Sequence, residues 1–190
     1  MRLWLKARGT RSIAVCIGVA AVGVAVARDV AVPLPNLVGG AFVPVPLVFV
    51  PPLVVALVLA RNLPGSDLTI ELVSTRHLTL RDAVYVLAVC SVLVVLASVG
   101  ALLSGQELIG AGRNSIGYIG LMLIGRVVLG SGAAAALPST YVVLASLIRS
   151  ATGWSQVWGW AFAPHDSVLS WACAVLLMLI GSSIGTRARV

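Results

Sequence analysis

From Ala83 to Leu103 the chain carries no charged residue. Wound as a helix at about 1.5 Å per residue, a run of that length reaches roughly 30 Å, the thickness of a bilayer's hydrocarbon core. A helix resting on a water-soluble body needs a polar stripe at the helical period, and this run has none. The rest of the chain agrees. Its 190 residues are 59% hydrophobic and 10% charged, with a mean hydropathy of +1.07, whereas a soluble domain is about 25% charged. Six acids and thirteen bases are too few to wet the surface of a 19.6 kDa body. The fold class that follows is an all-α membrane protein, a single transmembrane domain over residues 1–190 with no soluble domain.

The net charge of +7 does not point to nucleic acid. The bases fall in ones and twos between apolar runs, with no Lys/Arg stripe and no interleaved aromatics. They read as topology determinants. Cys16, Cys90 and Cys173 each lie inside an apolar run without CxxC spacing, and read as small buried apolar side chains.

Six spans account for the hydropathy. The first runs from Ser12 to Ala27 behind Arg2, Lys6, Arg8 and Arg11. Its end, Ala25-Val26-Ala27, also has the form of a signal-peptidase site, so a cleaved leader stands as an alternative. The second, about Leu37 to Ala60, contains Pro44, Pro46, Pro51 and Pro52. Its outer half is expected to be irregular or kinked, with the helix proper starting as late as Pro51, because proline suits a first turn. The third is Ala83 to Leu103. The stretch from Leu108 to Ile148 is about twice one crossing and divides near Gly125 to Gly132 into a fourth and a fifth span. A Trp-rich segment with Trp154, Trp158 and Trp160, re-entrant or interfacial, precedes a sixth span from Ser167 to Ile184. With both termini cytoplasmic, Arg2, Lys6, Arg8, Arg11, Arg61, Arg76, Arg81, Arg126, Arg187 and Arg189 fall inside. Only Arg28, Arg113 and Arg149 fall on or near the outside, as the positive-inside rule requires. The localisation expected is the cell inner or plasma membrane, multi-pass.

Residues 61–80 form the longest polar interruption, and the informative stretch runs on to Asp82. Pro64-Gly65 breaks the chain, Ser66 or Asp67 is placed to cap a short helix over about Leu68 to Leu78, and Thr79-Leu80-Arg81-Asp82 has the form of a capping box for the third span. The expectation is an amphipathic stub on the inner membrane face. One reading is an ordinary interfacial loop; the sharper one is a coupling helix gripped by a cytoplasmic motor.

The Glu-led stub (Glu71-Leu-Val-Ser-Thr-Arg76, then Arg81-Asp82-Ala-Val-Tyr85) between the second and third of six spans resembles the coupling region of ABC-2-type transporter permeases. The Trp-rich segment before the last span is similar to that family's re-entrant outer hairpin. Arg113-Asn114, Gly120-Leu121, Arg126, Gly130, Leu137-Pro138 and Tyr141 look like positions in small permease-like subunits of high-GC Gram-positive bacteria. The proline-laden second run and the short polar sequence of the loop depart from the family pattern. The resemblance implies a permease subunit of an ATP-driven exporter, partnered by a cytoplasmic ATP-binding subunit and by a second permease subunit, identical or different. It implies ATPase coupling through Asp67, Glu71, Ser74, Thr75 and Arg76, and a lipophilic, peptide-like or glycolipid substrate.

The chain has no P-loop: its only lysine, Lys6, follows Leu5, where GxxxxGK[ST] needs a glycine. No catalytic role, cofactor or metal is expected. His165-Asp166 with Ser167 or Ser170 is adjacent in sequence, but Asp166 reads better as the N-cap of the last span. The two histidines, His77 and His165, fall on opposite sides of the expected membrane. Glu107, Arg113, Asn114, Trp154 and Trp158 are the candidates for a polar pathway or outer gate. Against this stands an outward-snorkelling Arg113, a Glu107–Arg113 pair, and an aromatic belt of Trp154, Trp158 and Trp160. Gly181-Ser-Ser-Ile-Gly185 and the glycines at 117, 120 and 125 permit close helix packing, within or between subunits. Two other functions stay open: a substrate-binding membrane subunit of a modular importer, and a non-transport accessory subunit of a membrane complex.

Overall fold

Where water is scarce, a backbone must satisfy its own hydrogen bonds, and the apolar runs do so as helices. The computed structural model describes residues 9–27, 29–35, 42–63, 77–148 and 155–187. In chain order these give α1 (Thr10–Ala27), strands β1 (Ala31–Pro35) and β2 (Phe42–Pro46), and α2 (Val50–Asn62). Then follow α3 (His77–Ser104), α4 (Leu108–Val128), α5 (Ala136–Ile148), a single turn α6 (Ser155–Trp158) and α7 (Val168–Arg187). Among the described residues three helical segments are long and apolar enough to cross a membrane: Thr10–Ala27, Asp82–Ser104 and Val168–Gly185. At 13 residues each, α2 and α5 are about 20 Å long. With their 3₁₀ lead-ins they form the shorter apolar stretches Leu47–Asn62 and Ser131–Leu147.

The helices alternate in direction. Asn62 Nδ2 donates to Ser12 Oγ at 3.1 Å, which sets the end of α2 beside the start of α1. At the opposite end Val24, Val48, Ala101, Leu108 and Ala111 gather in one cluster. α4 lies at the centre, packed on α2, α3, α5 and α7. The closest crossing is between α4 and α7. A Cβ at Gly120 would come within 2.6 Å of the Leu177–Met178 backbone, and one at Gly181 within 2.7 Å of Gly120 O. The Gly181 end of the GxxxG is therefore used inside this chain, while a Cβ at Gly185 would meet nothing within 4 Å.

The hairpin β1–β2 stands outside the all-α expectation; β2 and the 3₁₀ turn Leu47–Phe49 lie in the part of the second run expected to be irregular or kinked. Its register pairs Ala31 with Pro46, Pro33 with Pro44 and Pro35 with Phe42. The Leu47 N–H bonds Val30 O at 2.9 Å, which fixes the parity: Val32–Val45 and Leu34–Val43 are hydrogen-bonded pairs, and the proline pairs are not. Every proline in the hairpin thus sits where its missing N–H would have pointed outward. Period-2 proline is compatible with a strand of this parity and blunts both edges against a third strand. α2 then opens with Pro51 and Pro52 in its first turn, as expected from proline's fixed φ.

Two caps differ from expectation. α3 is already helical from His77, so Thr79 lies inside it and not at its N-cap. Before α7 it is Ser167, not Asp166, that caps: the Ser170 N–H donates to Ser167 Oγ at 3.4 Å and Ser170 Oγ lies 3.0 Å from it. Asp166 is exposed one position earlier. The chain break foreseen at residues 125–132 falls after Val128, with a 3₁₀ turn at Ser131–Ala133 leading into α5.

Candidate functional site

Polar side chains are concentrated where the chain is most buried. Arg113 and Asn114, on the second turn of α4, are each 0% exposed. Burying a guanidinium costs several kcal/mol on the order-of-magnitude scale unless its donors are matched. Here they are matched by main-chain oxygens. Arg113 Nη1 donates to Pro164 O at 2.9 Å, and Nη2 to Ala163 O at 3.0 Å and Ala161 O at 3.2 Å. Asn114 Oδ1 accepts from Arg113 Nε and Nη2, both at 3.3 Å, while Asn114 Nδ2 donates to Ala161 O at 2.8 Å. The acceptors lie at and beyond the C-terminal end of the 3₁₀ turn Trp160–Phe162, the end at which unpaired carbonyls favour a cation.

Two further side chains hold the same segment. Tyr141 Oη donates to Trp158 O at 2.9 Å and accepts from the Ala161 N–H at 3.4 Å. Trp171 Nε1 donates to His165 O at 3.0 Å. Three helices thus contribute one polar grip each, α4 through Arg113 and Asn114, α5 through Tyr141 and α7 through Trp171. Non-helical backbone survives in an apolar interior only with such partners.

Apolar packing completes the grip. The Trp160 indole lies over α4 at Gly117, where a Cβ would collide with Cη2, Cζ3 and Cζ2 of the ring. It stacks on Tyr141 with centroids 5.3 Å apart and planes at 16°, and tilts against Tyr118 at 5.8 Å. Phe162 meets Phe49 edge-on at 5.7 Å, joining the segment to the 3₁₀ turn that precedes α2.

Of the residues expected at a site, the structure brings together Arg113 and Asn114. They turn inward, so the outward-snorkelling reading of Arg113 is corrected. The guanidinium is fully buried and its donors are taken up by the carbonyls of residues 161–164, so it does not reach outward. Glu107 is exposed in the turn before α4 and takes no part in the bonding of Arg113, so the Glu107–Arg113 pair is corrected as well. Trp158 is 71% exposed whereas Trp160 is 3% exposed, so these two are not one belt: Trp160 is core. Asp67, Glu71, Ser74, Thr75, Arg76 and Trp154 lie outside the described residues. Sequence reasoning missed Tyr141, Trp171 and the carbonyl row as partners; main-chain acceptors leave no mark in a residue pattern. Among the described residues no group of three or more His, Cys, Asp or Glu is placed to hold a metal ion.

No protein-family model matches this chain, and no curated protein or solved structure is significantly similar to it. What the arrangement does chemically follows from its bonds. It fixes an irregular segment against the hub helix and places a cation in the interior with neutral acceptors around it.

Proposed function

We propose that this chain is the membrane-spanning permease subunit of an ATP-driven exporter, with six crossings, the hairpin end outside and both termini in the cytoplasm. The observation that carries the reading is the segment 155–167. It turns into the bundle immediately before the last helix, buries Trp160, Ala161 and Phe162, and is anchored on α4. That is the form and place of the re-entrant outer element that the resemblance to ABC-2-type permeases implies.

The distribution of charge supports the orientation. Among the described residues Arg11, Arg61, Arg126 and Arg187 lie at the end of the bundle away from the hairpin and Arg113 toward the hairpin end, the bias in bases that the positive-inside rule favours for an external hairpin. Helices α2 and α5 cross with the help of the non-helical segments beside them. Energy comes from a separate ATP-binding subunit, gripping Asp67 to Arg76 from the cytoplasm, and the chain itself performs no catalysis.

Cysteines placed at Ser74 or Thr75 are expected to crosslink to a co-purifying ATP-binding subunit, and Arg76→Glu to lower that partner's stimulated ATPase rate. An unchanged rate in Arg76→Glu removes the coupling role. One observation favours a second reading, a non-transport accessory subunit: every bond of Arg113 and Asn114 is to the chain's own backbone or to each other, as suits a scaffold. Under that reading neither cysteine captures an ATPase.

A further inference from the structure

The feet of α1 and α2 are tied together at the end away from the hairpin. Asn62 Nδ2 bonds Ser12 Oγ at 3.1 Å, and Ser12 Oγ in turn donates to Gly9 O at 2.7 Å. One residue before each tied position stands an exposed arginine, Arg11 on α1 and Arg61 on α2. Among the described residues neither has an acidic partner, and the acid of that end that lies among them, Asp82, is buried at 7% exposure. Two like charges are therefore each rooted one residue from a fixed contact between helix ends.

Each arginine also ends an apolar stripe. On α1 the residues Val15, Val19, Val22 and Val26 are 61, 66, 64 and 74% exposed, and they follow Arg11 at spacings of three and four, along one helical face. On α2 Val50 and Val54, each 42% exposed, lie on the face that reaches Arg61 seven residues further on. The two helices pack together along their length, with Gly23 against Pro51 and Val24 beside Val48. The surface is a pair of valine stripes with a pair of guanidiniums at one foot.

We infer that the α1–α2 face is a binding site for an anionic glycerophospholipid, with the phosphate held by Arg11 and Arg61 and the acyl chains laid along the Val15–Val26 and Val50–Val54 stripes. The charge complements a phosphodiester, whose oxygens a guanidinium fork accepts in two-point contact. The apolar stripes match the acyl chains, which a free phosphate or a soluble anion lacks. The inference rests on the membrane orientation proposed above, in which this foot lies at the anionic cytoplasmic leaflet.

The test uses the full chain reconstituted in nanodiscs of phosphatidylcholine, with and without phosphatidylglycerol. Thermal unfolding of the unmodified protein is expected to shift upward by about 4 to 8 °C with phosphatidylglycerol. Arg11→Gln/Arg61→Gln is expected to lose most of that shift, Arg11→Lys/Arg61→Lys to keep part of it, and Arg187→Gln, the same charge removed from α7, to keep it all. The site is overturned if the double glutamine variant retains the full shift, if Arg187→Gln loses as much, or if inorganic phosphate in phosphatidylcholine discs reproduces it. Failure of the chain to enter discs at all would instead sink the membrane reading beneath it.

Discussion

Helices α3 and α4 are neighbours in sequence and in space, and they invert the usual relation between polarity and depth. α3 is the longest apolar helix, yet it presents Val84, Leu87, Val92, Val95, Leu96, Val99, Leu102 and Leu103 outward, with Leu102 84% exposed. α4 carries Arg113, Asn114, Ser115 and a series of glycines, and all of these are buried. In water such a molecule would show apolar area well beyond the few hundred Å² typical of a monomer. In lipid the arrangement is the stable one. The apolar helix needs no cover, and the polar helix has to be hidden with its donors matched. The difference between the two helices is the physical case for hydrocarbon as the solvent.

The largest break in that comparison comes from Arg113→Leu. It leaves Ala163 O and Asn114 Oδ1 without donors and takes one donor each from Pro164 O and Ala161 O, and about 2–6 kcal/mol of stability should be lost for the two orphaned acceptors, read as a lower unfolding temperature in detergent. Arg113→Lys should fall between, since an ammonium cannot span the carbonyl row as a planar fork does. A leucine variant as stable as the native chain would mean the polar interior of α4 contributes nothing. On the other side, Leu96→Lys puts a charge near the middle of α3's outward face. It should cost roughly 2.5–3.5 kcal/mol of insertion, measured as the inserted fraction in a membrane-integration assay. Normal insertion would argue that this face meets water. Smaller effects sharpen the account of the hub. Gly117→Ala forces Trp160 off α4 for about 1–3 kcal/mol, and should show as a change in indole fluorescence together with the loss of stability. Tyr141→Phe removes the hydrogen bonds to Trp158 O and from the Ala161 N–H, about 1–2 kcal/mol together, visible as faster amide exchange over residues 157–163.

Much of this was legible in the residues for a simple reason: in lipid, hydropathy maps onto helices directly. The start of α2 with Pro51 and Pro52 in its first turn and the break after Val128 followed from proline's fixed φ and from a glycine cluster. The hairpin was not legible, because prolines in an apolar run read as a kinked helix. Only their alternation at 33, 35, 44 and 46 marks the outward-facing strand positions, and that signal is visible once the pairing parity is known. Arg113 was recognised as exceptional but turned the wrong way. Its partners are main-chain oxygens some fifty residues away, and nothing in a sequence reports which carbonyls an irregular turn exposes. Trp160 shows the same limit: three tryptophans in seven residues suggest an interfacial belt, yet Gly117, far off in the chain, makes the slot that buries one of them. Ser167 displaced Asp166 as the cap of α7 by a single position, where either residue type serves.

The account depends on lipid covering α3 while α4 stays shut away, and paired spin labels read this directly. In a chain with Cys16, Cys90 and Cys173 replaced by alanine, a nitroxide is attached to a cysteine at Leu96 in one sample and at Gly110 in another, each reconstituted in vesicles. At Leu96 the label should relax with oxygen and ignore a water-soluble nickel chelate, and at Gly110 it should respond weakly to both. A strong nickel response at Leu96 would show that water, not hydrocarbon, bathes the most apolar helix, and the account would fail.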